Sequence, residues 1–263
     1  MVISGSVARG LADDQSDLEI GVYWTEPPSL SLRDRAVASL GAKMTRRVTL
    51  GEGQAWFGVD NLRVQGFQVD VAMNTVAGIE ATIRRVVAAE DLGNRSADLV
   101  GIIAEFVALA GPERVQAWQQ SLVYDDALRS AMLKHQLKLA PASALEVDFA
   151  RDDRFRVLER MHAWIARGRR ALFALNKRWY PGHKAAMARI PELPIQPAHS
   201  VQRLDSALDG PTETAATTLV DWCTELYGLA AQHADVDDEQ RHFLGSGRRR
   251  WTPPEVRALR IEI

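Results

Sequence analysis

The sequence predicts an α+β protein: a mixed sheet with flanking helices, followed by a helical bundle. Two observations carry that expectation. Through about residue 75 the apolar residues come in short runs with period-two alternation, cut by Gly and Pro, the pattern of half-buried strands. From about Ser96 the strand signals fade and helical periodicity takes over across longer stretches. The expected organisation is a sheet domain over 1–95 and a helical domain over 96–263.

Met1 to Ile3 is a short apolar run that reaches Gly5-Ser6, read as a strand turning into a helix. Leu18 to Trp24 is a second strand, ended by Pro27-Pro28. Ser29 to Lys43 follows as a helix, with Leu32, Ala36, Val37 and Leu40 at helical spacing and Ser31 as its cap. Arg46 to Leu50 and Gln54 to Val59 are weaker strand candidates, interrupted by Gly51 and Gly53. Leu62 to Met73 alternates in two short runs across Gly66 and reads as one or two strands. Thr75 caps a helix to about Ala89, striped by Val76, Ile79, Ile83, Val86 and Val87.

In the second half, Ala97 to Ala110 reads as an apolar helix stopped by Gly111-Pro112. Arg114 to Leu122 and Asp125 to Leu139 follow, and Pro141 breaks the run. Ala144 to about Trp179 forms one long helix or two, with Val157, Met161, Trp164, Ile165, Leu172 and Leu175 inward. Pro181-Gly182 ends it; Pro191, Pro194 and Pro197 punctuate a connection; Ser200 to Leu208 and Thr212 to His233 complete the bundle.

At 263 residues the chain can bury a sizeable core. A formal charge of −2 argues against gripping long nucleic acid with the whole surface. The single Cys223 excludes an internal disulfide and fits a reducing compartment. No apolar stretch is long enough to span a bilayer and no signal peptide precedes the first strand, so the cytoplasm is expected and a membrane partner is not. The six histidines lack metal-ligand spacing. Trp56, Trp118, Trp164 and Trp222 read as core, Arg167, Arg169 and Arg170 as a solvated helix face, and Arg248-Arg249-Arg250 as a surface turn.

The chemistry concentrates in the first two dozen residues. Period two points Asp17 and Glu19 the same way, roughly 7 Å apart along the backbone. Paired carboxylates repel unless a cation sits between them, and a hard divalent ion, Mg²⁺ above all, prefers such oxygens. Gly5-Ser6, at a strand-to-helix turn, presents free N–H groups and a hydroxyl suited to a phosphate, and Arg9 in the helix that follows could reach a phosphate oxygen. Asp70 is a lone acid in the run Val69-Asp70-Val71: an edge carboxylate, or a third metal ligand beside Asp17 and Glu19.

Gly5-Ser6, Arg9-Gly10 and Ser16-Asp17-Leu18-Glu19 together resemble the signature of the DNA polymerase β-like nucleotidyltransferase superfamily, and more narrowly its small bacterial branch of aminoglycoside, lincosamide and minimal nucleotidyltransferases. The resemblance implies a nucleotidyltransferase sheet. It implies Asp17, Glu19 and Asp70 as catalytic ligands of two Mg²⁺, with Gly5, Ser6, Arg9 and Ser16 binding the nucleotide. Glu19 stands where Asp is commoner. Relatives usually carry a helix before the first strand; this chain begins almost on the motif, so either the helix is lacking or the start is displaced, which could leave part of the core uncovered.

A second stretch, Ala171 to Lys184 (ALFALNKRWYPGHK), resembles a motif of the helical domain fused to many bacterial nucleotidyltransferases, and Ala150 to Asp153 is similar to the segment ahead of it. Asn176, Tyr180 and Lys184 are polar groups at an otherwise apolar helix end. They form either a cap network or a nucleotide clamp, with Asn176 on ribose or base, Tyr180 stacking and Lys184 neutralising the triphosphate.

These resemblances imply an NTP substrate and transfer of a nucleoside monophosphate to a hydroxyl. Three readings of the acceptor stand: a small molecule of aminoglycoside or lincosamide type, a protein or RNA partner as for an antitoxin, or no acceptor in a non-catalytic nucleotide-binding module. The general base is Asp70 or a separate carboxylate such as Glu146, Asp148 or Asp153.

Overall fold

The protein is described here by a computed structural model covering residues 1–140, 142–210 and 212–235. Pro141, His242 and the Arg248-Arg249-Arg250 turn lie outside the described residues. Among the described residues the fold is α+β, with a six-stranded mixed sheet and eleven α-helices. None of these helices is long and apolar enough to cross a membrane. The packing divides the chain into two compact units: 1–128 with 177–189, and 129–176 with the described residues from 190 onward.

The first unit opens with β1 (Val2–Ser4), α1 (Gly5–Ala8), β2 (Leu18–Trp24) and α2 (Leu30–Ser39). Then come β3 (Lys43–Leu50), β4 (Phe57–Val64), β5 (Phe67–Thr75) and α3 (Val76–Val87). Next are α4 (Asn94–Ile103), β6 (Val107–Ala108), α5 (Pro112–Ser121) and the start of α6 (Asp126–Gln136). The strand order is β3-β4-β5-β2-β1-β6, antiparallel throughout except for the parallel pair β2 and β5. The Leu62 to Met73 region is two strands joined at Gln65-Gly66, both at positive φ (51° and 92°), which suits a tight hairpin turn. Thr75 caps α3 as expected, accepting from Gly78 N–H.

Several features differ from the sequence expectation, among them β4, which runs on from Phe57 to Val64 where a strand from Gln54 to Val59 was expected. Helix α2 is capped by Ser29 rather than Ser31 and stops at Ser39, and residue 43 already belongs to β3. Its buried residue is Arg33, while Leu32 and Leu40 are exposed. A charge turns inward because Asp60 of β4 takes both Nε and Nη2 of Arg33, and Thr49 takes Nη1. Helix α4 ends at Ile103 rather than 110, because Val107 and Ala108 add to the edge of β1 as β6. Finally, α4 and α5 bury Val100, Ile103, Val115 and Trp118 in one core with Val2, Ile79, Ile83 and Val86. The break in packing thus falls after residue 128, not at the expected 95.

The second unit contains the rest of α6, then α7 (Ala142–Ala150), α8 (Arg154–Leu175), α10 (Ser200–Ser206) and α11 (Glu213–His233); α9 (His183–Arg189) belongs to the first unit. The Ala144 to Trp179 region is two helices, broken where Asp152 takes φ 53° and Asp153 caps α8. The apolar residues assigned inward on α8 are all buried. Trp222 of α11 is fully buried and donates from Nε1 to Ser200 Oγ at 2.9 Å. The Arg167 to Arg170 face is not simply solvated. Arg167 donates to the Gln136 and His135 carbonyls at the end of α6, and Arg170 is buried. The last carbonyls of a helix need donors, and a guanidinium supplies them.

Candidate functional site

The site is set by strand register. Glu19 on β2 and Asp70 on β5 are direct partners across the parallel pair. Ser4 partners Glu19 from β1, and Asn61 partners Asp70 from β4. Partnered residues leave the sheet on one face, so Ser4, Glu19, Asp70 and Asn61 form a polar row across four strands. Asp17, two residues before Glu19, falls on that face by the same period. Towards the other end, Val2, Gly21 and Tyr23 share the face; Val2 and Tyr23 belong to the core with α3, α4 and α5. The alternation written in β2 therefore changes from acidic to apolar along one face.

Each acid leans on a different neighbour. The Glu19 carboxylate lies over Gly5: a β-carbon there would stand 2.3 Å from its Oε2. Ser4 Oγ reaches the same oxygen at 3.5 Å. Asp70 accepts from Gln68 Nε2 at 3.4 Å. Asp17 Oδ1 is buried without a hydrogen bond, and Lys184 Nζ lies 3.8 Å from it. Among the described residues no three Asp, Glu, His or Cys side chains are gathered closely enough to hold a metal ion. The convergence expected from sequence is thus formed in the backbone but not in the side chains. Like charges with no cation between them separate and take local partners.

The residues nevertheless fit a hard divalent ion in donor type. Two carboxylates, Glu19 and Asp70, are direct strand partners, Asp17 just precedes β2, and one Asp17 oxygen, removed from water, has no hydrogen-bond donor. Such an atom is costly and calls for a partner. Ser6 Oγ is likewise buried and unpaired, next to Gly5 at φ 67°.

The remaining expected site residues divide. Arg9 follows the short α1 as its C-cap and does not point to an open cradle. Its Nε donates to Glu105 Oε2 at 2.5 Å, and Arg189 reaches Oε1 of the same carboxylate at 3.2 Å. Burial explains this choice, since the Arg9 side chain is 7% exposed and needs a counter-charge. Ser16 closes an exposed turn, donating to Asp13 Oδ1 and accepting from Asp13 N–H. That hydroxyl, with Gln15 N–H, holds the Asp13 carboxyl below its usual range.

Tyr180 is buried beside His183, with ring centroids 5.9 Å apart, so it is packed as core rather than held out for stacking. A β-carbon on Gly101 of α4 would meet the Tyr180 carbonyl oxygen at 2.0 Å, and that close approach fixes the segment carrying Lys184. Asn176, in the second unit, forms the cap network. It donates to the Leu172 and Ile195 carbonyls and accepts from Ile195 N–H at 2.9 Å. Of the other carboxylates weighed as a base, Asp148 is buried against Arg160 at 2.7 Å, and Asp153 caps α8.

Glu105, Arg189 and Asn61 join the site without having been singled out. Glu105 carried the signal that marks Asp70, a lone acid in an apolar run, here Ile103-Ala104-Glu105-Phe106-Val107. A hollow of about 850 Å³ between α3 and α5, lined by Glu80, Arg84 and Trp118 among others, includes none of the acidic row.

Compared with protein-family models and with curated proteins, the chain matches none. The functional reading therefore stands on the resemblance of the motifs and on this geometry.

Proposed function

We propose that the protein is a Mg²⁺-dependent nucleotidyltransferase of the polymerase β-like type. It moves a nucleoside monophosphate from an NTP to a hydroxyl and releases pyrophosphate. The observation that carries the reading is the register of Glu19 with Asp70, with Asp17 two residues ahead and its Oδ1 buried and unsatisfied. Bound divalent ions would supply charge neutralisation for an in-line displacement. Asp17, Glu19 and Asp70 would hold them. Asp70, between Glu19 and Asn61 in the row, would accept the acceptor's proton. Ser6, whose hydroxyl has no hydrogen-bond partner, would donate to a phosphate oxygen. Gly5 would allow close approach there once the Glu19 carboxylate moves off it. The acceptor bond forms at the α-phosphorus as its bond to the pyrophosphate oxygen breaks, and positioning accounts for most of the rate.

The acceptor favoured is a small molecule of aminoglycoside or lincosamide type, with a protein or RNA acceptor as the alternative. The separated carboxylates favour a second reading, a nucleotide-binding module without transfer activity. Thermal unfolding with each NTP plus Mg²⁺ tests the proposal, because a ligand of the native state raises the midpoint. An upward shift lost in Asp17→Ala is expected. No shift with any NTP would sink both readings. A shift without labelled-NMP incorporation across aminoglycoside, lincosamide, protein and RNA acceptors would leave only the module.

A further inference from the structure

The geometry points to Lys184 as a built-in stand-in for the divalent cation, an inference that rests on the reading above. Three observations carry it. Lys184 Nζ lies 3.8 Å from Asp17 Oδ1, an ion-pair distance beyond hydrogen-bond reach, and that oxygen has no other polar partner. The Lys184 side chain is 73% exposed while Asp17 is 20% exposed, so the head group is held by little except this charge. Lys184 is also the second residue of α9, where the positive end of a helix disfavours a cation. Its position answers to Asp17 rather than to its own helix. The backbone leading into α9 is anchored, because Tyr180 is buried and its carbonyl is packed on Gly101.

A screened ammonium offset from the oxygen is a weak occupant. A divalent ion ligated directly displaces it. The freed ammonium, on a flexible stem beside the site, is then available to the triphosphate arriving with the metal. Lys184 thus neutralises Asp17 before loading and the nucleotide after it. Its removal has opposite effects on the two ligands: tighter binding of the metal alone and weaker binding of the metal–nucleotide complex.

The test is Mn²⁺ titration followed by electron paramagnetic resonance, without nucleotide, on wild type, Lys184→Ala, Lys184→Arg and Asp17→Ala. A nucleotide titration at saturating Mn²⁺ follows. Expected is an Asp17-dependent Mn²⁺ site whose affinity rises about two- to fivefold in K184A, the size an exposed ion pair supports. K184R should stay at the wild-type value, and nucleotide affinity should fall in K184A. An Asp17-dependent site that K184A leaves unchanged or weakens overturns the stand-in role alone. Absence of any Asp17-dependent Mn²⁺ site in wild type and K184A overturns the role together with the metal-dependent reading.

Discussion

The Glu19 carboxylate rests on the α-carbon of Gly5, so that a β-carbon at position 5 would stand 2.3 Å from Glu19 Oε2. The two residues come from neighbouring elements of one motif, and each limits what the other can be. Gly5 also holds φ 67°, a conformation that costs L-residues roughly 1–2 kcal/mol. Gly5→Ala is therefore expected to lose about 1–2 kcal/mol in urea unfolding, mainly from backbone strain, since the carboxylate can swing aside. A loss under about 0.5 kcal/mol would show that position 5 does not need that φ.

Asp60 is the most heavily used carboxylate in the sheet. It takes two bonds from Arg33 and two from Arg47, and its side chain is 5% exposed. Burial would raise its pKa, but the bonds from Arg33 and Arg47 outweigh it and hold the carboxyl below its usual range. A folded pKa below the unfolded one contributes stability that is present above about pH 4 and lost as pH falls through the folded value. Wild type should weaken on acidification below about pH 4. Asp60→Asn should cost about 3–5 kcal/mol at neutral pH, leaving the buried Arg33 without its charge partner while Arg47 keeps Asp34, and should flatten the acid limb. Urea unfolding from pH 2.5 to 7 reads both effects; an unchanged acid limb in the variant would contradict the assignment.

Arg9 belongs to a charge cluster with Glu105 and Arg189 rather than to an open phosphate cradle. Arg9→Ala should cost about 1–3 kcal/mol, less than a fully orphaned pair, because Arg189 still neutralises Glu105. The double variant Arg9→Ala/Glu105→Ala should cost less than the sum of the single changes by chemical denaturation. Additive losses, with a large drop in NTP affinity from Arg9→Ala alone, would return Arg9 to the phosphates.

Asn176 uses both amide atoms in the second unit, donating to two carbonyls and accepting from Ile195 N–H. Asn176→Asp keeps the acceptor but sets a carboxylate against the Leu172 and Ile195 carbonyls. It should lower stability by about 2–4 kcal/mol at pH 7 while leaving NTP affinity per folded molecule unchanged. Nucleotide titration at a temperature where the variant is folded separates these effects; selective loss of NTP binding would place Asn176 at the nucleotide.

Much of the local structure was legible because it depends on neighbours in sequence. Thr75 caps its helix as read, the last helix runs to His233 as expected, and β2 spans the predicted residues. The inward residues of α8 follow from their spacing. The short β6 escaped notice because two residues carry no period, and only β1 makes them a strand. Helix α2 misled for a related reason: its apolar spacing was real, but the buried partner available to it was a carboxylate. The expectation that Asp70 lies on the strand beside that of Glu19 holds, since β2 and β5 pair directly. What each acid touches was not readable.

The sequence by itself determined most strand and helix types, the Thr75 cap, the core tryptophans and the one-sided alternation that sets Asp17 and Glu19 on a common face. Tertiary structure decided the partners of the charges. It sent Arg9 to Glu105, 96 residues away, turned Arg33 inward to Asp60, and brought Lys184 to Asp17. Periodicity encodes which face a side chain takes, since that follows from the backbone repeat. A buried charge, in contrast, takes whichever counter-charge the packed elements bring near, and that choice is made only when distant segments meet.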